Sequence, residues 1–383
     1  MTMYNGDKGI GLYVHIPFCR SKCYYCDFNS YACKEALISP YFDMLKREIA
    51  CRANRLEGRP VKTVFIGGGT PSVADATYIY ELLNMSRQCF IVRDDAEITI
   101  ESNPGTLCKE KLKIYREAGI NRLSIGLQAW QDRLLKMTGR THSAKDFLES
   151  FDMAEKSGFE NINVDLIFGL PEQTLGDWEE SLTNVARLGP PHISCYSLKI
   201  EEGTPFERML ASGEIEYPDE ESDRRMYGFA IEMLRGNGFR HYEISNFARP
   251  GFECRHNMIY WKGEEYLGFG AGAHSFLDGK RSGNVSAVEE YISAVNKGLQ
   301  PVENEETVDE NGKMAEFMIL GLRLTDGVSA REFKFRFGAD MFGLYATKIE
   351  KLIAKQLLEI DGDRIKLTET GLDLANKVFV EFI

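Results

Sequence analysis

Short apolar runs alternate with longer amphipathic runs through the first half of the chain. The apolar runs are rich in β-branched residues and predict strands at residues 11–17, 61–66, 97–101, 122–127, 161–168 and 192–200. Between them, apolar residues three or four positions apart predict helices at residues 41–55, 75–88, 107–118, 144–157 and 175–188. This alternation predicts an α/β fold in which six strand–helix units form a parallel sheet, curved into a partial (β/α)6 barrel.

The pattern changes after the sixth predicted strand. Residues 201–221 are polar and rich in turn-forming residues, and a helix is predicted at residues 222–235. Residues 239–276 are aromatic and glycine-rich and show no clear period. We therefore expect the barrel to occupy residues 1–235 and an irregular connecting region to occupy residues 236–312.

The last part of the chain predicts a small helical module. Residues 334–356 predict helices, a hairpin is centred on Gly362, and a final helix is predicted at residues 368–380. The order helix, hairpin, helix is similar to that of a winged helix, so we expect a winged-helix-like module in residues 313–383. Residues 330–383 carry equal numbers of basic and acidic side chains, which argues against nucleic-acid binding.

Composition and net charge argue against several classes of function. The formal net charge of −12 over 383 residues argues against bulk affinity for nucleic acid or anionic lipid. No apolar run approaches the length of a transmembrane helix, and the short polar N-terminus has no signal-peptide pattern. Nine cysteines, an odd number in a chain of this size, fit a reducing compartment, so we expect a cytoplasmic protein.

Three of the cysteines follow the first predicted strand. Cys19, Cys23 and Cys26 have the spacing C-x3-C-x2-C. Four thiolates would close a zinc site or saturate an iron–sulfur cluster, whereas three leave a metal vertex open to a small molecule. A structural zinc site is the alternative, but Cys33 and His15, the nearest further ligands, are poorly spaced for it.

Further polar or glycine residues occur where the next predicted strands end. The run Gly-Gly-Gly-Thr occupies residues 67–70, Glu101 and Gln128 end the third and fourth strands, and Asp165 lies within the fifth. The carboxyl ends of parallel strands meet at one face of a barrel. We therefore expect these residues to lie close to the cysteines.

Several motifs together resemble a known family. They are YVHIPFC at residues 13–19, GGGTP at 67–71, SIGLQ at 124–128, GRTHS at 139–143 and DLIFGLP at 165–171. They are similar to motifs of the oxygen-independent coproporphyrinogen oxidase family of the radical S-adenosylmethionine (SAM) superfamily, and the resemblance covers nearly the whole chain. It implies a [4Fe–4S] cluster on the three cysteines, with SAM chelating the fourth iron.

The resemblance also implies which residues contact SAM. They are Tyr13, Gly68, Gly69, Thr70, Glu101, Gln128, Arg140 and Asp165. Their chemistry is suitable, because carboxylates can bind ribose hydroxyls or an amine and Arg140 can pair with a carboxylate. Tyr25, between the last two cysteines, is expected to pack beside the adenine.

Two departures from the oxidases point to a related branch. The cysteine motif of the oxidases resembles C-x3-C-x2-C-x-C, but here Phe28 stands at the position of the fourth cysteine. The oxidases also carry a long N-terminal extension, whereas only twelve residues precede Tyr13 here. The segment CDFNS and the segment HNMIYW at residues 256–261 instead resemble the HemW-type heme chaperones, which lack oxidase activity. This resemblance implies heme as a third cofactor and heme-accepting respiratory proteins at the membrane surface as partners.

His256 is the candidate heme ligand. Imidazole is a good axial ligand for heme iron, and Tyr260 and Trp261 can stack on a porphyrin. A satisfied core histidine is the simpler alternative, and Cys254 is a rival ligand. Because His256 is far in sequence from the cluster and SAM residues, we expect its substitution to leave both sites intact.

The remaining histidines and cysteines are expected to have supporting roles. His15 is expected to order the cysteine loop and His274 to border the ligand cavity. The remaining cysteines are expected to behave as small apolar residues: Cys33, Cys51, Cys89, Cys108 and Cys195. Two alternatives to a chaperone stay open, a radical SAM coproporphyrinogen III oxidase of heme biosynthesis and a purely structural zinc protein.

Overall fold

A computed structural model of the protein describes residues 9–216 and 219–383. Its largest element is a twelve-stranded sheet. Six of these strands follow one another in chain order and pair in parallel, as predicted. They are β1 (Ile10–Ile16), β2 (Val61–Gly68), β3 (Val92–Ser102), β4 (Arg122–Gln128), β5 (Asn161–Phe168) and β6 (His192–Ser197).

Helices connect these strands and cover the sheet. They are α1 (Ile38–Cys51), α2 (Ala76–Cys89), α3 (Lys109–Glu117), α4 (Asp132–Met137), α5 (Ala144–Lys156) and α6 (Leu175–Leu188). Helix α5 begins at a capping box, in which the Ser143 and Asp146 side chains each accept the other residue's backbone N–H. Its Phe147 and Phe151 are buried in the apolar core. The predicted α/β partial barrel is confirmed, and each predicted helix is present with its ends shifted by a few residues.

Residues that the sequence predicts as irregular extend the sheet at both edges. The strands are β7 (Arg240–Glu243), β8 (Asn246–Ala248), β9 (Tyr266–Phe269), β10 (His274–Leu277), β11 (Lys280–Asn284) and β12 (Val302–Thr307). Strands β8 and β7 follow β6, whereas β9 lies beside β1 and is parallel to it. The sequence misses them because strands of three to six residues, two of them containing glycine, show little period.

Four helices accompany these edge strands. They are α7 (Pro205–Ser212), α8 (Glu220–Gly236), α9 (Arg255–Trp261) and α10 (Val288–Asn296). Helix α9 contains the HNMIYW segment and contacts β2 in the middle of the sheet. The domain boundaries at residues 235/236 and 312/313 stay predictions.

The C-terminal residues form a module with its own apolar core. Its elements are α11 (Glu310–Gly321), β13 (Val328–Ser329), α12 (Ala330–Phe337), α13 (Met341–Leu344), α14 (Ala346–Ala354), β14 (Leu358–Asp361), β15 (Arg364–Leu367), α15 (Glu369–Asp373) and α16 (Ala375–Phe379). The predicted hairpin is present as β14 and β15, but the predicted last helix is divided into α15 and α16 at Leu374. Across the part of the chain that the structure describes, no helix combines the length and apolar character needed to cross a bilayer.

Candidate functional site

The three cysteines lie on a loop that leaves the carboxyl end of β1. Phe18–Cys19 pairs in parallel with Tyr31–Ala32, so the loop returns to its own start. His15 holds the loop in place, because its Nε2 lies 2.8 Å from the Asn29 carbonyl oxygen and its Nδ1 lies 3.0 Å from the Tyr13 hydroxyl. The structure thus places His15 in the role that the sequence suggests.

The cysteine side chains of this loop are free to bind metal. All nine cysteines are free thiols, and burial raises the pKa of Cys19 and of Cys26, so binding of iron must displace protons. Among the described residues, no three His, Cys, Asp or Glu side chains converge as the ligands of one ion. A cluster does not need such convergence, since each thiolate binds a different iron. Cys33 is exposed and Phe28 is 66% exposed beside the same loop.

The glycines at the end of β2 let the cysteine loop approach the sheet. A Cβ atom on Gly69 would lie 2.8 Å from the Phe18 carbonyl oxygen and 3.0 Å from the Cys19 sulfur, so a larger residue would push the loop away. The Gly68 backbone N–H donates to the Glu101 carboxylate over 3.1 Å. Gly68 and Glu101, at the ends of the second and third strands, are therefore in direct contact.

A chain of polar contacts connects Cys19 to Arg140. The Cys19 sulfur lies 3.5 Å from the Thr70 hydroxyl, which accepts a hydrogen bond of 3.0 Å from the Asn103 amide. Arg140 donates to the Asn103 side-chain oxygen over 2.8 Å and to the Tyr25 hydroxyl over 2.8 Å. The hydrogen-bond partners of Arg140 within the protein are these neutral groups, and its pairing with a ligand carboxylate stays a prediction. Its charge therefore remains available to an anionic ligand.

Gln128 occupies the strand end in a strained conformation. Its φ is 73°, a left-handed backbone value that residues other than glycine adopt at a cost in conformational energy. A Cβ atom on Gly126 would lie 2.8 Å from the Gln128 amide and 3.0 Å from the Asn103 oxygen. Gly126 thus leaves the space in which Gln128, Asn103 and Arg140 meet.

Asp165 and Glu101 line a cavity of about 180 Å³ inside the barrel. Asp165 accepts hydrogen bonds of 2.9 Å from the Ser124 hydroxyl and 2.8 Å from the Asn163 amide. Burial, together with the nearby Asp165 carboxylate, raises the pKa of Glu101 to about 8. Arg122 also lines this cavity, and its buried Nε has no hydrogen-bond partner among the described residues. The cavity therefore offers both kinds of charge to a polar ligand.

Helix α9 places His256 in the same cavity. The Glu97 carboxylate accepts the backbone N–H groups of Arg255 and His256, which fixes the start of the helix. The His256 Nδ1 lies 2.7 Å from the Thr63 hydroxyl and the Nε2 lies 2.9 Å from the Tyr260 hydroxyl. Burial and the nearby Arg122 guanidinium lower the pKa of His256 to about 3, so the imidazole is neutral and both its nitrogens are hydrogen-bonded.

The sequence separation of His256 from the SAM residues does not make it independent of them. Its ring centroid lies 6.4 Å from that of Tyr13, and both rings line the cavity that contains Glu101 and Asp165. The expectation that distance along the chain isolates His256 was therefore wrong. The reason is that β9 lies beside β1 and brings the segment before it into the barrel.

The other candidates are placed as follows. Cys254 is buried and its sulfur lies 3.7 Å from a Glu97 oxygen, and burial raises the pKa of this thiol to about 12. The Trp261 ring lies beneath the Arg323 guanidinium, 4.2 Å from ring centroid to Cζ, at the junction with the C-terminal module. His274 is exposed on β10, and it lines neither the barrel cavity nor any other cavity that we identify in the described residues.

Some functional residues were missed from the sequence. Asn103 follows β3 by one position, and its place at a strand end was the signal that could have found it. Glu97 and Arg122 stand at the starts of strand cores, and a charged residue inside an otherwise apolar strand is the signal there.

Comparison with known proteins agrees with this geometry. Residues 13–185 match the Radical SAM superfamily, and residues 308–374 match the HemN C-terminal domain. The chain is 39% identical to "Heme chaperone HemW" of Bacillus subtilis over 97% of this chain and 98% of that protein. It is 33% identical to the protein of the same name from Escherichia coli, over 98% of each chain.

A solved structure extends the comparison to the fold. The coproporphyrinogen III oxidase HemN from Escherichia coli, described as a radical SAM enzyme, superposes with a TM-score of 0.85 at 25% identity, covering 98% of this chain and 90% of that one. Membership of the radical SAM superfamily implies a [4Fe–4S] cluster and SAM, which the cysteine loop and the strand-end residues fit. Identity above 30% along nearly the full length decides between the branches: the chain belongs to the HemW family of the radical SAM superfamily.

Proposed function

We propose that this protein is a cytoplasmic heme chaperone that binds heme and delivers it to heme-accepting respiratory proteins. The observation that carries the proposal is the full-length similarity to proteins named heme chaperone HemW. The structure adds support, because the HNMIYW segment forms a defined helix on the wall of the barrel cavity. The free state of all nine cysteines supports a reducing compartment.

Within this proposal, the strand-end residues hold the cofactors. Cys19, Cys23 and Cys26 would bind the cluster, which supplies electron transfer when it is present. The SAM contacts would be Tyr13, Tyr25, Gly68, Gly69, Thr70, Glu101, Gln128, Arg140 and Asp165, all around the loop and the cavity described above. Gly69 lets the cysteine loop approach the sheet, and Arg140 offers a half-buried positive charge to a carboxylate.

His256 is the proposed axial ligand of heme iron. A neutral imidazole is the form that binds iron, and the low pKa of His256 keeps it in that form. Ligation through Nε2 requires that the Tyr260 hydroxyl give up its hydrogen bond. The proposal therefore includes a local rearrangement of α9.

Hemin binding and transfer test the proposal. We expect reconstituted protein to develop a shifted Soret band on addition of hemin and to pass the heme to an apo-respiratory hemoprotein during mixing. A matched sample in which Lys351 is replaced by Glu, on the far module, should behave like the wild type. Protein that does not bind hemin under anaerobic, cluster-loaded conditions would contradict the proposal.

The second candidate is a coproporphyrinogen III oxidase, which the match to HemN favours as a fold. Phe28 replaces the fourth cysteine of the oxidase pattern, and its side chain is exposed. We expect no formation of protoporphyrinogen from coproporphyrinogen III by anaerobic, reconstituted protein with SAM and a reductant. Robust turnover would replace the chaperone proposal with the oxidase.

A further inference from the structure

A second cavity, of about 300 Å³, lies between the edge strands of the sheet and the C-terminal module. We name it the aromatic groove, after its lining residues Tyr260, Tyr266, Phe276, Phe317, Phe337 and Arg281. Four of these five aromatic rings are only partly buried, although each is large enough to be placed in a core. A contiguous group of half-buried rings on a surface is typical of a binding site.

One wall of the aromatic groove is a row across three neighbouring strands. Tyr266 on β9 is opposite Phe276 on β10, which is opposite Arg281 on β11. The Arg281 guanidinium lies over the Phe276 ring at 5.7 Å. Residues opposite one another on paired strands point to the same side of a sheet, so this row presents two flat rings and a cation to one ligand.

The other wall belongs to the C-terminal module. Lys313, Phe317 and Leu320 are spaced by four and three positions, which places them on one face of α11. The Phe337 ring lies 5.7 Å from Phe317, and the Arg336 guanidinium lies 5.2 Å from the same ring. A planar apolar ligand between the walls would therefore contact rings on both sides.

Three cations surround these rings: Arg281, Lys313 and Arg336. Each forms an ion pair with a glutamate. Arg281 pairs with Glu316 at 2.9 Å and Lys313 with Glu310 at 2.7 Å. Arg336 pairs with Glu332. Glu264, which also lines the aromatic groove, is paired with Lys62. The Glu310 side chain is exposed, and an exposed ion pair is worth at most about 1 kcal/mol, so an incoming carboxylate can replace Glu310 on Lys313 at little cost. The two arginine pairs are partly buried and supply fixed positive charge beside the rings.

We infer that the aromatic groove binds a tetrapyrrole dicarboxylate, with the ring system between the two walls and the propionates on Lys313 and the arginines. This inference rests on the proposed function for the identity of the ligand. A volume of about 300 Å³ covers part of a macrocycle and leaves the rest exposed, as transfer to another protein requires. No histidine or cysteine lines the aromatic groove, so binding there does not need iron.

Tyr260 connects the aromatic groove to the barrel cavity. It lines both cavities, its hydroxyl is hydrogen-bonded to His256, and its ring lies 4.7 Å from Tyr266. A macrocycle in the aromatic groove would contact the residue that now occupies the His256 Nε2. The aromatic groove is therefore a place where heme can dock before iron ligation.

Metal-free protoporphyrin IX separates this site from iron ligation. We expect wild-type, cluster-loaded protein to bind not only hemin but also metal-free protoporphyrin IX, measured by porphyrin fluorescence. Lys313→Glu should weaken protoporphyrin binding about fivefold, because it replaces an attraction by a repulsion. Phe276→Ala should weaken it about tenfold through lost ring contacts. The matched control is Lys351→Glu, which removes a lysine paired with one glutamate elsewhere in the same module and should have no effect.

The outcomes distinguish the aromatic groove from the proposed function. If wild-type protein binds hemin but not protoporphyrin IX, the inference of a porphyrin site in the aromatic groove is wrong and the chaperone proposal stands. If it binds neither compound, both the inference and the chaperone proposal are wrong. Unchanged protoporphyrin affinity in both groove variants also overturns the aromatic groove as a porphyrin site. If those variants then fail only in heme transfer, the surface is a docking site for the acceptor protein. Retained cluster absorption and circular dichroism confirm that each variant is folded.

Discussion

The carboxyl edge of the sheet and helix α9 are built in opposite ways. At the carboxyl edge, Arg140 and Gln128 come together around space that Gly126 leaves free, and Arg140 lines a small cavity beside Cys23. In α9, by contrast, both nitrogens of His256 are already hydrogen-bonded within the protein. The first region is ready to bind and the second must open first. A preorganised site gives affinity, whereas a closed one lowers the apparent affinity by the fraction of molecules that are open.

The largest expected effect is at the cysteine loop. Replacing Cys19, Cys23 and Cys26 together by Ala should abolish the [4Fe–4S] cluster, because it removes all three thiolates that are proposed to bind iron. Wild-type protein should contain about four irons per chain by metal analysis, with the matching sulfide content. Cys33→Ala is the control and should retain the cluster. A cluster that survives in the triple variant would show that the preorganised edge has been assigned to the wrong residues.

The next effect tests the strand-end carboxylate. Asp165→Ala should weaken SAM binding by about tenfold or more in calorimetry, since hydrogen bonds to a charged group are worth about 1.5–3 kcal/mol. Cluster content should stay unchanged. The exposed Asp152, replaced by Ala, removes an equal charge far from the cavity and should not matter. Equal affinities for the two variants would mean that Asp165 serves only its bonds to Ser124 and Asn163.

A smaller effect is expected at the closed region. His256→Ala should reduce heme retention on a desalting column several-fold, and His256→Gln should do the same if ligation rather than hydrogen bonding matters. Because His256 shares a cavity with Tyr13, SAM affinity must be measured in the same samples, and we expect it to change less than heme affinity. Heme retention equal to wild type would move the ligand elsewhere, with Cys254 the next residue to test.

The smallest effect concerns the anchor of α9. Glu97→Ala leaves one buried and one partly buried backbone N–H group without their acceptor and should lower the free energy of unfolding by about 1–3 kcal/mol. Glu97→Gln, which keeps an acceptor oxygen, should lose less. Thermal unfolding of cluster-loaded protein measures both. If Glu97→Ala is as stable as the wild type, α9 is not held by this carboxylate and the contrast between the two regions weakens.

The two regions also differ in what the sequence reveals. The carboxyl edge could be predicted because strand order follows chain order there, so Glu101 and Asp165 reach one cavity and Gln128 lies at the same edge once the parallel sheet is recognised. The position of α9 could not, because it depends on β9 pairing with β1 across more than two hundred residues. Strand β9 is four residues long and contains a glycine, so neither its existence nor its partner has a local signal.

The fold shows the same division. The amphipathic helices of the barrel and the C-terminal hairpin have strong local patterns, and the structure has them where the sequence predicts them. The break at Leu374 has no proline to mark it, and the nearby Gly371 lies inside α15, so the sequence does not show where the helix ends. Asn103 was missed for a different reason, since an asparagine after a strand is usually just a turn residue.

The hydrogen bond between Tyr260 and His256 has a consequence for how a carrier would release its cargo. If His256 binds heme iron, the Tyr260 hydroxyl is an internal competitor for the same nitrogen atom, tethered next to it at an effective concentration that no free ligand reaches. Each departure of iron would then let the hydrogen bond re-form, which stabilises the empty protein and lowers its affinity for heme. A carrier with this arrangement gives up some affinity, so that an acceptor protein needs less affinity of its own to take the heme.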